Sequence, residues 1–509
     1  MGFRIVAAAG LALFAAVPAQ AAWWKAQSRH FTVYSEGNDE KLRDFAERLE
    51  KFDFLLRKVT GLKDPEADSP VEVFLLSNDA RVKKLARNPN LAGFYTTSDR
   101  VAYAVLSRES KSGKFDFGAE EVLFHEYTHH FMLHHFPAAY PAWYIEGFAE
   151  FFSVVKFAKD GSIDFGNVPM ARVPGLVLAS PYPLKKLFES DTEGLNRIDG
   201  DRYYGTAWLL THYFQYGKAE RRQEFIKYLN DLAKGVADVQ PDTYFAGGLD
   251  GLEKDVKAYM RQRLTASRLT PRDMTLGAIA ITAVDPARGE LIEDELRLRY
   301  RPTAEELPAL IDGFRAVTVT YPASAYAFAL LADAEWEAER KDAALADADR
   351  AIAIDPAMSR AYATRAEVLL ERAYDSDKDV DWKAALSAIV KANRADTEDP
   401  VPLALFYRYN AMRGGKMPDL GYDGLYKAFT LLPQNPTYRM NFAQAVAARG
   451  DYRAASRLLD PIAYSPHASG MREAAIKMKA AFDAQAAGKD VARDAVKAGE
   501  AAGNPAPAP

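Results

Sequence analysis

The feature that most constrains the fold of this chain is a regular spacing of small residues in its carboxy-terminal half. A unit of about 34 residues begins at Ala325 and has Pro356 as its last key position. The small or apolar positions between them are held by Leu331, Ala332, Ala344, Ala348 and Ala351. Small residues at these places let paired helices approach closely, and one pair cannot bury its apolar face alone. The spacing therefore predicts helical pairs that stack on further copies of themselves.

Further copies follow the first along the chain. The second runs from Tyr362 to Ala392 and is stretched by an acidic insert at 375–381, a looser third spans 402–433, and a fourth runs from Phe442 to Leu459. The first and fourth copies resemble the tetratricopeptide family well, whereas the middle two depart from it. The resemblance implies a helical solenoid over residues 323–485 whose groove holds a protein partner or a substrate. An undistinguished helical bundle is the alternative.

The amino terminus predicts export. Arg4 precedes an apolar run at 5–17, and Ala19-Gln20-Ala21 matches a small-x-small cleavage pattern. Residues 1–21 are therefore predicted to be a signal peptide, with an uncleaved anchor as the alternative. No later apolar run reaches about 18 residues, so no membrane span is expected in the mature chain. We expect the protein in the bacterial periplasm or secreted.

Residue patterns divide the rest of the chain. Residues 22–270 mix strand and helix patterns and predict an α+β domain. Residues 271–322 contain five prolines and predict a linker, and the Ala-, Gly- and Pro-rich residues 486–509 predict a disordered tail. The expected architecture is an α+β domain followed by an all-α repeat solenoid.

Composition limits the chemistry. The 509 residues include no Cys, which excludes disulfides, thiolate nucleophiles and cysteine-bound metals. The net charge of −5 provides no basic field to bind nucleic acid. Five of the eight His are clustered in one short stretch: His125, His129, His130, His134 and His135. Any metal site must therefore use His and carboxylates.

The stretch His125-Glu126-Tyr127-Thr128-His129 is an H-E-x-x-H motif. On a helix, residues at i and i+4 lie on one face about 5–6 Å apart, so both imidazoles can bind one ion. Glu126 then lies beside the position of a metal-bound water. A chance match with buried, hydrogen-bonded His is the alternative.

A catalytic zinc site usually takes three protein ligands and leaves one position for water. The next helical pattern reads WYIEGFAE over 143–150, after Pro137 and Pro141 break the chain. We predict Glu146 as the third ligand. Glu150, one turn later, is predicted to accept a hydrogen bond from a liganding His. Two solvated carboxylates are the alternative, which the aromatic neighbours disfavour.

The stretch HEYTH followed by WYIEGFAEFF resembles the gluzincin group of zinc metallopeptidases. It is most similar to the peptidase-MA-like domains of exported bacterial proteins. The resemblance covers residues 25–265 and implies a zincin-like fold, with Zn²⁺ bound by His125, His129 and Glu146 and with Glu126 as general base. It also implies a residue that stabilises the oxyanion: Tyr204 is the candidate and Tyr203 the alternative, and a packing role for the tyrosine stays open.

Other ligand sets and functions are possible. His135 follows His129 by six residues, where other metalloproteases place a third His, but a helix that continues through Met132 would turn it away. His130 and His134 are predicted to be solvated or hydrogen-bonded, with a second metal site as the alternative. We predict an exported zinc peptidase acting on peptides or proteins. A tetratricopeptide binding scaffold with an inactive metal domain, and a hydrolase of non-peptide amides, are the alternatives.

Overall fold

The computed structural model describes residues 23–37, 39–63, 69–89, 91, 93–108, 118–236, 238–271, 274–466 and 470–502. The predicted signal peptide at 1–21 lies outside these residues. An α+β domain is followed by an array of helices.

Nine strands and ten helices build the described part of the first domain. The strands are β1 (Trp23–Gln27), β2 (Phe31–Glu36), β3 (Val71–Leu76), β4 (Gly93–Thr97), β5 (Ala102–Ser107), β6 (Lys156–Phe157), β7 (Ile163–Phe165), β8 (Ser267–Leu269) and β9 (Ala280–Ala283). The helices are α1 (Asp39–Thr60), α2 (Asp79–Ala86), α3 (Ala119–His135), α4 (Ala142–Ser153), α5 (Val173–Val177), α6 (Leu184–Glu189), α7 (Arg197–Tyr216), α8 (Ala219–Ala233), α9 (Gly248–Met260) and α10 (Pro286–Arg299). Two short 3₁₀ helices lie at Met170–Arg172 and Pro241–Thr243.

A mixed six-stranded sheet forms the base of the domain. Its order is β4-β5-β3-β2-β1-β9, with parallel pairing of β3 to both β2 and β5, and antiparallel pairing elsewhere. Successive side chains of a strand point to opposite faces. Val33 and Val73 therefore join the core formed with α1 and α3, whereas Tyr34 and Phe74 join a second core on the other face.

The predicted linker at 271–322 is wrong for most of its length. Strand β9 extends the sheet beside β1, and α10 covers the second face of the sheet with Ile292 and Leu296. Pro286 lies in the first turn of α10. Its missing backbone N–H costs no hydrogen bond there, because an N–H in the first turn has no acceptor within the helix. Both faces of the sheet are apolar, and α10 buries the second face. The number of prolines in the segment did not indicate that a helix would be needed there.

Helix α7 is the buried centre of the domain's helical half, and it contacts α4, α5, α8 and α9. His212 on α7 is fully buried; its Nε2 lies 2.9 Å from the carbonyl oxygen of Thr265, and its Nδ1 lies 2.9 Å from the hydroxyl of Tyr259. Burial lowers the pKa of His212 to about 4. The neutral imidazole is therefore part of the folded core.

The predicted stacking of paired helices is confirmed. The array consists of α11 (Leu307–Thr320), α12 (Ala325–Glu337), α13 (Lys341–Ile354), α14 (Ser359–Ser376), α15 (Asp379–Ala395), α16 (Pro400–Arg413), α17 (Asp419–Leu431), α18 (Pro436–Ala448), α19 (Tyr452–Leu458), α20 (Asp460–Ala463) and α21 (Gly470–Ala502). Consecutive helices contact each other, and α14 also contacts both α12 and α16. Ala344, Ala348 and Ala351 are fully buried where the helices meet. The acidic insert lengthens the second pair, α14 and α15, to 18 and 17 residues, against 13 and 14 for α12 and α13.

The predicted disordered tail at 486–509 is helical over its first part, because α21 continues to Ala502. The alanines of this segment favour a helix, and the prolines of the segment all lie among its last residues. Residues 503–509 lie outside the described part. None of the described helices is both long and apolar enough to cross a membrane.

The array folds back onto the first domain at the turn between β4 and β5. Asn435 donates a hydrogen bond to the carbonyl oxygen of Ser98 at 2.8 Å, and the hydroxyl of Tyr438 donates to that of Asp99. Arg100 forms an ion pair with Asp399, at the beginning of α16. The repeats therefore hold the tip of the hairpin that carries the edge strand β4.

Candidate metal centre

Helix α3 presents the H-E-x-x-H motif from a fixed position on the first domain. At its beginning, the carboxylate of Glu121 accepts a hydrogen bond from the backbone N–H of Gly118 at 3.1 Å. On one face, Phe124 stacks on Phe52 of α1 with ring centroids 4.2 Å apart, and Tyr127 donates to Asp53 at 2.8 Å. The other face of α3 is thereby turned towards α4.

Helix α4 carries the WYIEGFAE stretch and lies between α3 and α7. Its Gly147 allows a close approach to α7, because a Cβ there would lie only 2.4 Å from the carbonyl oxygen of Ala207. Both carboxylates of the stretch, Glu146 and Glu150, are fully buried, as the aromatic neighbours had predicted. Helix α4 ends at Ser153, and β6 follows it.

Three predicted ligands meet between α3 and α4. The Nε2 atoms of His125 and His129 lie 3.1 Å apart, and Oε2 of Glu146 lies 3.2 Å from the first and 3.4 Å from the second. Among the described residues, these three form the one group of His and carboxylate side chains close enough together to share a metal ion. The structure thus joins in space two sequence motifs that are separated by two prolines.

The electrostatics of the cluster favour positive charge. Burial disfavours the charged form of Glu146, but the neighbouring His129 and His125 outweigh burial and hold the pKa of this carboxyl well below its usual range. Burial also opposes charge on His125, yet the hydrogen bond to Glu146 and the charges of Glu150 and Glu126 raise the pKa of His125 to about 9. A pair of imidazoles, one buried and one partly buried, with this much negative charge beside it suits a cation.

Glu150 lies behind His125 but is too far from it to accept the predicted hydrogen bond. Its Oε1 is 3.6 Å from Nδ1 of His125 and accepts a hydrogen bond from Nη2 of Arg172 at 2.7 Å. Arg172 also bonds Asp201 at 3.2 Å. Sequence patterns do not identify Arg172, because it lies on a short 3₁₀ helix outside every periodic stretch. Arg172 therefore holds the charge of Glu150 beside the imidazole ring of His125.

The two candidate tyrosines differ in their surroundings. The hydroxyl of Tyr203 donates to the carbonyl oxygen of Ser190 at 3.1 Å. The ring of Tyr204 lies 6.4 Å from that of His125, centroid to centroid, and under the guanidinium of Arg172 at 4.5 Å. Burial, with the charge of Glu146 added, raises the pKa of Tyr204, so its hydroxyl stays protonated. Tyr204 is thus the tyrosine placed beside the cluster.

Glu126 borders a cavity of about 180 Å³ next to His129. Apolar side chains of α3 and α4 line one side of it, and Tyr95 of the edge strand β4 lines another. Pro461, Ser465 and Pro466, from the far end of the helical array, complete the lining. The contribution of the array could not be read from the sequence, because it depends on the path of the whole solenoid.

The other three clustered His lie outside the metal group. Helix α3 continues through Met132 to His135, as predicted, and the ring of His135 packs on Phe131 with centroids 4.6 Å apart. Nδ1 of His130 lies 2.7 Å from the hydroxyl of Tyr95, and Nδ1 of His134 lies 3.2 Å from the side-chain amide of Gln434. The predicted hydrogen bonding of this pair is confirmed, and its partners come from β4 and from the array.

No family model matches this chain, and no curated protein matches it. Among solved structures, it is similar to a thermophilic tetratricopeptide-repeat protein of Thermus thermophilus, at 18% identity over 34% of this chain and 90% of that one, with a TM-score of 0.30. It is similar to YrrB, a tetratricopeptide-repeat protein with an unusual peptide-binding site, at 19% identity over 30% and 75%, with a TM-score of 0.25. It is also similar to yeast Tom70, at 13% identity over 62% and 65%, with a TM-score of 0.28. At these TM-scores the likenesses carry no conclusion about function.

Proposed function

We propose that this protein is a zinc-dependent peptidase of the gluzincin type that is exported to the periplasm or secreted, and that it cleaves peptide or protein substrates. The observation that carries the proposal is the buried triangle of two imidazole nitrogens and one carboxylate oxygen, with Glu126 beside it.

The dimensions of the triangle support zinc. A tetrahedral Zn²⁺ with bonds of about 2.0 Å has ligand atoms about 3.3 Å apart. The three separations between His125, His129 and Glu146 are 3.1, 3.2 and 3.4 Å. Two imidazoles and one carboxylate are also a donor set found in catalytic zinc sites, where a fourth position is left for water. These residues can therefore hold the ion with little rearrangement.

Each remaining residue has a role that its position supports. Zn²⁺, when bound, supplies a Lewis acid that polarises a carbonyl group and lowers the pKa of water. Glu126, at the border of the cavity, takes a proton from the attacking water and passes it to the leaving amine. Tyr204 donates a hydrogen bond to the developing oxyanion. Glu150, fixed by Arg172, orients His125.

A second role, in protein binding, is favoured by the helical array itself. Stacked helical pairs form extended surfaces that hold peptides and proteins. The array would then deliver a substrate to the metal centre, or hold a partner protein beside it. In a pure scaffold, by contrast, the metal domain would be inactive.

Metal analysis paired with a cleavage screen tests the proposal. We expect one zinc ion per chain in the purified wild type, loss of that ion in Glu146→Ala, and cleavage of a peptide mixture by the wild type. Glu126→Gln should keep the zinc and lose at least a hundredfold in cleavage rate, in line with the contribution of a general base, about 10²–10⁴-fold. Undiminished cleavage by Glu126→Gln would remove Glu126 from its role, and a folded wild type that takes up no zinc would favour the scaffold.

A further inference from the structure

We infer that the last helices of the array form one wall of the substrate cavity, and that this wall makes the protein select peptides with one large apolar side chain next to the scissile bond. The inference rests on the proposed function for its substrate class. It assigns a role in specificity to Pro461, Ser465 and Pro466, which lie more than 300 residues from the metal ligands.

The wall and the candidate catalytic groups border the same cavity. Glu126 and His129 border the cavity on the side of the metal centre, together with Met132 and Leu133 of α3. Pro461 belongs to α20, and Ser465 and Pro466 follow that helix. A side chain bound in this cavity therefore contacts the array.

Contacts with the loop between α6 and α7 fix the position of this wall. The hydroxyl of Thr192 donates to the carbonyl oxygen of Pro466 at 2.7 Å, and the Thr192 side chain also hydrogen-bonds Tyr204. Arg472, at the beginning of α21, forms an ion pair with Asp191 at 2.6 Å. The end of the array is thus bonded to the loop that supports the candidate oxyanion donor.

The size and chemistry of the cavity define what fits. Its volume is about 180 Å³, and an engineered apolar cavity of about 150 Å³ in another protein accommodates benzene. Leu133, Phe136 and Ile145 give it apolar sides, and Glu126 is the one carboxylate among its described lining residues. A phenylalanine side chain matches both properties, whereas a tryptophan side chain is too large.

Peptide binding to full-length Glu126→Gln protein tests this wall without requiring cleavage. The probes are fluorescein-labelled peptides of the form Gly-Gly-Gly-X-Gly-Gly-Gly, with X as Ala, Phe or Trp, in the presence of zinc, and the readout is fluorescence polarisation. We expect the Phe peptide to bind at least tenfold more tightly than the Ala and Trp peptides. Adding Ser465→Trp should fill the cavity and reduce the preference for Phe over Ala to less than twofold.

Two further variants complete the test. Thr430→Trp adds the same bulk at an exposed site on α17, away from the cavity, and should keep the tenfold preference. Pro461→Ala should widen the cavity and bring the affinity for the Trp peptide within threefold of the affinity for the Phe peptide. This variant tests the wall even if Ser465→Trp does not fold. Equal binding of the Ala and Phe peptides, or a preference that neither array variant alters, would overturn the inference. Failure of the wild type to cleave any peptide, with the Phe preference intact, would instead refute the peptidase.

Discussion

Gly147→Ala perturbs the metal centre without touching a ligand. Gly147 follows the predicted ligand Glu146 on α4 and lies against the backbone of α7. A Cβ at this position would be 2.4 Å from the carbonyl oxygen of Ala207 and 2.5 Å from Oγ1 of Thr211. The carbonyl oxygen belongs to a helix backbone and cannot turn aside, so α4 and α7 must separate.

The size of this separation follows from the contact distances. Ordinary contact with a Cβ begins at 3.4 Å, so α4 must move by about 1 Å. A zinc ligand tolerates a displacement of only about 0.2 Å. The movement of Glu146 should therefore lower zinc affinity at least tenfold, since even changes behind the ligands cost about 10–100-fold. Overpacking between the helices should also reduce the free energy of unfolding by about 1–3 kcal/mol.

Zinc affinity by competition with a chelator, and urea unfolding of the zinc-free protein, measure the two effects separately. Gly200→Ala is the matched control, because Gly200 lies in α7 and a Cβ there meets no atom within 4 Å. The control should keep the zinc affinity and gain about 0.4–1 kcal/mol of stability. If Gly147→Ala bound zinc like the wild type, the close packing of α4 on α7 could not be what positions Glu146.

Three further predictions concern groups around this centre. Arg172→Gln removes the cation bonded to Glu150 and should weaken zinc binding by about 10–100-fold in a chelator competition; unchanged affinity would show that Glu150 needs no such partner. The pKa of His212 is about 4 in the folded protein and about 6.5 when unfolded. The unfolded chain therefore binds more protons below pH about 6.5. The free energy of unfolding should be unaffected by His212 above that pH and should fall by up to about 3 kcal/mol as the pH drops towards 4. In His212→Asn, the free energy of unfolding should change less steeply with pH. Arg100→Ala and Asp399→Asn should each cost about 3–5 kcal/mol of stability in urea unfolding, and the double variant little more than either alone; fully additive losses would mean that the two side chains do not act as a pair.

Local patterns predicted the parts of the site that lie on helices. The H-E-x-x-H stretch lies on α3 (Ala119–His135), and the i, i+4 spacing placed His125 and His129 on one face. The carboxylate Glu146 could be predicted as their neighbour because two prolines allow α4 to fold back onto α3. Helical periodicity and metal-ligand chemistry are local properties, and they can be read from one stretch of chain.

The remaining features depend on contacts between distant segments. Arg172 reaches Glu150 from a loop without periodicity, and Pro461 reaches the cavity only after the solenoid has turned back on the first domain. The error at 271–322 has the same origin, because β9 and α10 complete a sheet that begins at Trp23. Prolines in this segment lie where helices begin. The sequence alone does not distinguish a proline at the start of a helix from a proline in a linker.

The hairpin between β4 and β5 has a consequence for the order of folding. The bonds from Asn435 and Tyr438 to this hairpin join residues 337 and 339 positions apart in the chain. Contacts of such separation form late, because the cost of closing a loop must be met before they can contribute. A chain that emerges from its amino terminus can build its sheet early, but the edge strand beside the metal centre reaches its final support only after the repeats are complete. A truncated or stalled chain would thus carry every candidate metal ligand without the fully supported site.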